Sequence, residues 1–269
     1  MQRLSEFHQI TTRPRRLVLE RRHAPPVAPI ALYASGVRRI APALALAAFA
    51  LLAGVSAGPA AAARVVLLGR SWEGRAIRAV EVGDPAGTRV LVVGCIHGNE
   101  PAGIAIAQRL ERSSPRGVDL WIVPVLNPDG RAADTRGNAH GVDLNRNFPW
   151  HWRPLGGVYD SGPHPLSEPE ARIAYHLILR LRPHLSIWFH QHLDLIWASG
   201  GDRKIERRFA RLSGLPYHPL PPLPGSAISW QNHALPGTTA FAAELPAGEP
   251  GATATARYVR AVLAVSRGS

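Results

Sequence analysis

Residues 90–100 read VLVVGCIHGNE, an apolar run that ends in His97 and Glu100. An uncharged run of this kind is typical of a β-strand that is covered on both faces. Helical spacing of apolar residues follows from Pro101 to Leu110, so the strand leads directly into a helix. This arrangement can turn both polar side chains toward one point at a sheet edge, where an imidazole and a carboxylate form part of a catalytic zinc site. Taken alone, the pattern equally fits a tight turn whose Glu100 favours the helix N-terminus.

Strands and helices alternate along the rest of the chain. Apolar and β-branched runs predict strands at residues 65–68, 77–82, 118–125, 184–190 and 238–245. Helical spacing predicts helices at residues 103–110, 167–182, 202–212 and 252–266, with Ser167 as the N-cap of the second. The alternation predicts an α/β fold: a mixed, mostly parallel twisted sheet with helices on both faces and functional residues at the carboxyl ends of its strands.

The segments between these elements carry a second group of polar residues. Residues 127–130 read NPDG, a strong turn signal. Residues 129–152 are polar and too long for an ordinary connection, and such loops are usually functional or disordered. They include Asn145 and Arg146, a neutral donor and a bidentate cation suited to a carboxylate, although a lone pair of this kind is more often solvated loop. Two later segments give no clear pattern: the Pro-rich residues 215–224, which we expect to form a surface loop, and residues 225–236.

The N-terminal residues differ from the rest. Residues 1–36 are Arg-rich and lack apolar periodicity, and we interpret them as disordered or as the result of a start site assigned too early. Residues 37–63 resemble a signal peptide, with a basic start, an apolar segment and small residues at the end. The alternative is an uncleaved membrane anchor through residues 40–63, although its Pro and Gly residues make a poor transmembrane helix. We therefore expect a folded domain at residues 64–269 that is secreted or lies in the cell envelope. We also expect this domain to be a monomer.

Charge and cysteine content narrow the function. Residues 1–63 hold eight Arg and two Glu, half of the +12 formal charge, so the remaining residues are only modestly basic. No cluster of Lys and Arg with interleaved aromatic residues indicates a nucleic-acid partner. Cys95 is the only cysteine, which excludes an intrachain disulfide and a multi-cysteine zinc site. Because Cys95 lies in the apolar run, we expect a small buried hydrophobe rather than a nucleophile.

Several separated motifs occur together along residues 64–269. They are HxxE at 97–100, NPDG at 127–130, TR at 135–136, GVDLNRNFP at 141–149, His190, and FAAEL at 241–245. This ordered set resembles the zinc metallocarboxypeptidases of the M14 type, and among them the compact bacterial members that include the murein-peptide amidases. The resemblance implies the fold of that family in a single catalytic domain.

The resemblance also implies a metal site. His97, Glu100 and His190 would hold one Zn²⁺ per chain, with an open position for water, as hydrolytic zinc requires. His192 competes as the third protein ligand, because residues i and i+2 of a strand face the same way. We prefer His190, because the ligand of the family directly follows the apolar strand.

Four further residues receive roles from the resemblance. Glu244 would be the general base that assists attack of zinc-bound water on a C-terminal amide bond. Arg136 would polarise the carbonyl and stabilise the oxyanion. Asn145 and Arg146 would clasp the free C-terminal carboxylate of a peptide substrate, including peptides derived from peptidoglycan.

Some features depart from the digestive members of this family. No counterpart of their mobile-loop Tyr is evident, since Tyr217 is the only Tyr between His190 and Glu244. Residues 226–231 lack charge, which argues against a strict preference for basic terminal residues. N-acyl amino acid hydrolases of the aspartoacylase and desuccinylase type also use His-Gly-Asn-Glu and Asp-Leu-Asn-Arg, so an amidohydrolase of that type remains open. A non-catalytic protein that binds wall peptides is the third hypothesis.

Overall fold

The computed structural model describes residues 61–267. The predictions for residues 1–36 and for a signal peptide or anchor at residues 37–63 fall outside the described residues, except that the first strand begins at Ala61. Within residues 61–267, no helix combines the length and apolar character needed to cross a bilayer.

Eight strands of the described chain form one sheet. They are β1 (Ala61–Arg70), β2 (Ala76–Gly83), β3 (Thr88–Val93), β4 (Val118–Val123), β5 (Leu185–Gln191), β6 (Leu195–Ala198), β7 (Tyr217–Pro219) and β8 (Thr239–Leu245). Their order is β1-β2-β4-β3-β5-β8-β6-β7. The central strands β4, β3, β5 and β8 are parallel, whereas β1, β2 and β6 join antiparallel. The predicted mixed, mostly parallel sheet is confirmed, and the four central strands end at one edge.

Helices cover both faces of this sheet. They are α1 (Ala102–Leu110), α2 (Pro128–Ala133), α3 (Pro169–Leu181), α4 (Arg203–Ser213), α5 (Ala227–Ala234) and α6 (Ala252–Ser266). On one face, α1, α4 and α6 bury Ile106, Phe209 and Val262 against the sheet. On the other face, α3 and α5 bury Ile178 and Trp230. Each face therefore has its own apolar core, as an α/β sheet requires.

The strands β6 and β7 and the helix α5 were not predicted, and all three depend on tertiary contacts. Strand β6 pairs with β8, and β7 pairs with β6, so both extend an edge that other strands have formed. The prediction of a surface loop at residues 215–224 is wrong over Tyr217–Pro219 for this reason. Helix α5 begins after Ser226, whose hydroxyl accepts from the N–H of Ser229, and buries Ile228 and Trp230.

Two helix starts differ from the predictions. Residues 127–130 open α2 instead of forming a turn: Asn127 Oδ1 accepts from the Gly130 N–H at 2.8 Å, and Pro128 occupies the first helical position, where no N–H is needed. The Asn127 Nδ2 also donates to the Gly137 carbonyl at 3.1 Å, which ties α2 to the following loop. In α3 the N-cap residue is Glu168 rather than Ser167, and it makes no side-chain capping bond.

The Asn127→Ala change should lower the free energy of unfolding by about 2 kcal/mol, because it removes a cap and one of the two side-chain donors to the buried Gly137 carbonyl, the other being the Thr135 hydroxyl. The matched control is Asp202→Ala, which removes the exposed N-cap of α4 and should cost about 1 kcal/mol. Urea unfolding monitored by circular dichroism measures both. Equal losses would show that the bond to Gly137 adds nothing to stability.

Candidate metal centre and substrate pocket

Two neighbouring parallel strands bring three polar side chains to one point. His97 and Glu100 lie in the connection from β3 to α1, and His190 lies near the end of β5. The strands pair with Val93 opposite Trp188, so both ligand segments leave the sheet at the same edge. All three side chains are buried, and one ligand atom from each lies within 4.8 Å of the others. The structure thus brings together the three residues that the sequence suggested as metal ligands.

The donor atoms of this cluster face one another. Glu100 Oε1 lies 2.9 Å from His97 Nδ1, and Glu100 Oε2 lies 2.9 Å from His190 Nδ1. The two Nδ1 atoms are 3.2 Å apart. Ligands of a tetrahedral zinc ion, at the usual bond lengths, are separated by about 3.4 Å. Because facing imidazole nitrogens repel unless a proton or cation lies between them, this set of two nitrogens and a carboxylate fits Zn²⁺.

Asp143 orients the first histidine. Its Oδ1 accepts from His97 Nε2 at 2.9 Å, which directs Nδ1 toward the other ligands, and it also accepts from the Asn145 N–H. Burial opposes ionisation of Asp143, but His97, Arg136 and Arg146 hold its pKa well below the usual range. No role for Asp143 was predicted from the sequence. The position of Asp143, just before Asn145 and Arg146, could have indicated its role. A histidine that binds a metal usually donates its other ring N–H to a carboxylate.

Arg136 bridges the ligand cluster and Asp143. Its Nε donates to Asp143 Oδ2 at 2.9 Å and its Nη1 donates to Glu100 Oε1 at 2.9 Å. A guanidinium has five N–H donors, so these two bonds leave others for a ligand. Burial opposes ionisation of Glu100, but the two histidines and their hydrogen bonds lower its pKa. Glu100 and Asp143 are therefore both anionic. Metal binding requires this of Glu100, and the orientation of His97 requires it of Asp143.

Glu244 stands beside the third ligand. It pairs with His190 in the parallel register of β5 and β8, so the two side chains emerge on the same face of the sheet. It is nearly buried and lines the same cavity as the metal ligands. Among residues 61–267, no group donates a hydrogen bond to its carboxylate. A carboxylate without such partners is available to accept a proton from a ligand.

The cavity in front of these residues has a volume of about 550 Å³. One part of its wall is apolar and includes Trp197, Ile228 and Ala242. Arg153 and Tyr159, from the segment before α3, form another part. A concave site that combines an apolar wall with convergent charged groups is typical of small-ligand binding.

Asn145 and Arg146 line this cavity as well. Asn145 Oδ1 accepts from the Ala227 N–H at 3.0 Å, which fixes the amide at the start of α5 and leaves its NH₂ group for a ligand. The guanidinium groups of Arg136 and Arg146 lie over the ring of Tyr159, at 5.3 and 5.4 Å from its centre. Burial lowers the pKa of Arg146. Tyr159 was not predicted from the sequence, because a Tyr in a segment without apolar periodicity carries no local signal of a function.

Three other residues considered from the sequence, His192, Tyr217 and Cys95, lie outside the metal-ligand cluster. His192 is exposed and contributes no atom to the ligand cluster, although it borders the cavity. Tyr217 donates to Glu206 at 3.2 Å beneath α4 and does not line the cavity. Cys95 is fully buried, and burial raises the pKa of its thiol to about 12, which fits the expected packing role.

Comparison with known proteins gives a consistent result. The family model described as zinc carboxypeptidase matches residues 50–208. Murein peptide amidase A of Escherichia coli (strain K12) is 33% identical over 129 residues, which cover 42% of this chain and 53% of that protein. Carboxypeptidase SOL1 of Arabidopsis thaliana is 33% identical over 110 residues, covering 34% of this chain and 22% of that protein. This chain thus spans about half the length of the first of these relatives.

Solved structures show the same fold. The murein-tripeptide amidase MpaA from Escherichia coli O157 aligns with a TM-score of 0.63 and 26% identity, covering 76% of this chain and 92% of that chain. Carboxypeptidase A from Helicoverpa armigera aligns with a TM-score of 0.65 and 20% identity, covering 77% of this chain and 68% of that chain.

Asp143→Asn should weaken zinc binding by about 10- to 100-fold, because the anionic partner that orients and polarises His97 is lost. Asp134→Asn, an exposed carboxylate on the loop after α2, is the control and should leave affinity unchanged. Competition with a chromogenic chelator measures both dissociation constants. Unchanged affinity in Asp143→Asn would contradict the orienting role of this carboxylate.

Proposed function

This chain belongs to the zinc carboxypeptidase family, and we propose on that basis that it hydrolyses the amide bond next to a free C-terminal carboxylate, using one zinc ion. The observation that carries the proposal is the convergence of His97, Glu100 and His190 with Glu244 and Arg146 around one cavity. A binding protein would need the cavity and its guanidinium groups, but it would not need a free carboxylate beside three metal-ligand side chains.

The roles of the ligand cluster and of Glu244 follow from their positions. His97, Glu100 and His190 would hold the zinc ion, which would supply Lewis acidity for the scissile carbonyl and the attacking water. The Glu244 carboxylate accepts the proton of that water and delivers it to the leaving amine nitrogen. Since no described residue donates to Glu244, no hydrogen bond must break before it does so.

Three side chains bind and orient the substrate in this proposal. Arg146 and the Asn145 amide hold the terminal carboxylate, and the bidentate geometry of a guanidinium suits this anion. An internal peptide bond would leave Arg146 without its anion, so cleavage is confined to chain ends. Arg136 uses its remaining N–H groups to stabilise the oxyanion, while its bonds to Asp143 and Glu100 keep the guanidinium in place.

Peptides derived from peptidoglycan are the substrate class we favour. This part of the proposal rests on the murein peptide amidases among the relatives and on the cavity. Ser226 and Ile228 line the cavity near α5, and that segment has no charge, so a strict preference for a basic terminal residue is not expected. Export or membrane attachment through residues 37–63 would place this activity outside the cytoplasm; N-terminal sequencing of secreted material tests that.

The dependence on the terminal carboxylate can be measured directly. We expect cleavage of a peptide with a free C-terminus and none of its C-terminal amide. Arg146→Gln should lower kcat/KM by about 100-fold, because one charge-assisted bidentate contact is lost. Arg70→Gln, at the far edge strand, is the control. Equal cleavage of both peptides would eliminate the carboxylate clamp, and turnover of an N-acyl amino acid instead would favour the amidohydrolase alternative.

Glu244→Gln should keep one zinc per chain and lower kcat by about 100-fold or more, because the amide cannot accept the proton of the attacking water. Glu249→Gln, an exposed neighbour in the next loop, should keep both zinc and rate. Metal analysis and initial rates give the comparison. Normal turnover in Glu244→Gln would mean that another group is the base, and an inactive zinc-loaded wild type would favour the non-catalytic binding protein.

A further inference from the structure

Helices α1, α4 and α6 form the layer that covers one face of the sheet, with α6 between the other two. We define the basic helical layer as residues 102–113, 202–213 and 252–267. This layer has ten basic and three acidic residues. The basic residues are Arg109, Arg112, Arg203, Lys204, Arg207, Arg208, Arg211, Arg257, Arg260 and Arg267. All of them are exposed except Arg208, which is half-buried.

The fold brings basic residues from three separate segments of the sequence onto one face of the domain. The basic helical layer carries a formal charge of +7, whereas the other described residues hold 13 basic and 14 acidic side chains and are close to neutral. The modest net charge of the domain thus arises entirely from one face. A surface with a single sign of charge over several adjacent elements attracts an anionic partner, and salt weakens this attraction.

The cations of this layer lack carboxylate partners inside the described chain, although Arg207 and Arg257 lie over the rings of Tyr217 and Tyr258. Ion pairs elsewhere engage Arg64, Arg75, Arg89, Arg131 and Arg136. Within residues 61–267, none of the ten basic side chains of the layer forms an ion pair. Glu206, the acidic residue in the middle of α4, is buried and accepts from Tyr217. The positive charges therefore face solvent.

We propose that the basic helical layer docks on the surface of an anionic lipid bilayer. Charge spread across three neighbouring helices of one layer matches a planar array of headgroup phosphates. Leu212 is exposed among these cations, and an apolar side chain in that setting can enter the headgroup region.

One further observation favours a bilayer over nucleic acid, and a second shows that the layer is separate from the cavity. Both aromatic residues of the layer, Phe209 and Tyr258, are buried, so the layer offers no platform on which nucleic-acid bases could stack. No residue of the layer lines the 550 Å³ cavity. Docking through this face therefore leaves the cavity open to peptides, and the inference is independent of the proposed chemistry.

The test uses the full chain, so that residues 1–60 are common to all samples. Co-sedimentation is measured with vesicles of phosphatidylcholine alone and with vesicles that also contain phosphatidylglycerol, each at low and high salt. We expect binding only to the anionic vesicles and only at low salt. Lys204→Gln combined with Arg211→Gln should weaken this binding about tenfold or more, since both cations lie on the exposed face of α4.

Arg180→Gln combined with Arg182→Gln is the matched control, because it removes the same charge from the last turn and the C-cap of α3, on the opposite face, and should leave binding unchanged. Thermal unfolding of both double variants checks that each is folded. Equal loss in the two double variants, or no binding of the wild type to anionic vesicles, would overturn the proposal. Equal binding to uncharged vesicles would also overturn it, and tighter binding to a DNA duplex at the same salt would assign the face to nucleic acid instead.

Discussion

The shared register of the parallel strands β3, β5 and β8 is the constraint on which the rest of the structure depends. It aligns Val93 with Trp188 and His190 with Glu244, so that residues far apart in the chain leave the sheet at one edge. A shift of one residue in either pair would turn a polar side chain toward the core. The strands are almost wholly buried, so the hydrophobic packing on both faces opposes such a shift. Stability and site geometry are therefore set by the same contacts.

A second layer of contacts holds the irregular segments against this edge. Asp143 and Arg136 join the loop after α2 to His97 and Glu100, and Asn127 joins the same loop to α2. The backbones are also close: a Cβ at Gly98 would lie 1.9 Å from the Gly130 carbonyl carbon, so only glycine fits there. The polar loop after α2 is held in place because Asp143 and Arg136 bind the side chains of His97 and Glu100. The side chains that we propose to bind substrate are thereby held in place before a ligand arrives, and preorganisation of this kind favours catalysis.

Charge is organised separately from this site. Beside the cavity, Arg136 forms ion pairs with Glu100 and Asp143, whereas the described cations of α1, α4 and α6 form no ion pairs and lie on the outer surface of their layer. The two arrangements serve different physical purposes, since paired charges fix geometry at short range and unpaired charges of one sign act over a Debye length. The two arrangements lie apart, since the site is at the carboxyl edge of the sheet and no residue of the basic helical layer lines the cavity.

The sequence by itself determined the fold class, most of the strands and helices, and two of the three clustered side chains, His97 and Glu100, because apolar periodicity and short polar motifs are local signals. It also selected Glu244, Arg136, Asn145 and Arg146, all of which line the cavity, while their chemical roles stay predictions. Only the tertiary structure decided that His190 rather than His192 meets His97 and Glu100, that Asp143 supports His97, and that Tyr159 lies against two guanidinium groups. The edge strands β6 and β7 likewise depend on pairing with strands that are distant in sequence, and the charged face depends on the packing of α1, α4 and α6 into one layer. No local pattern encodes either feature.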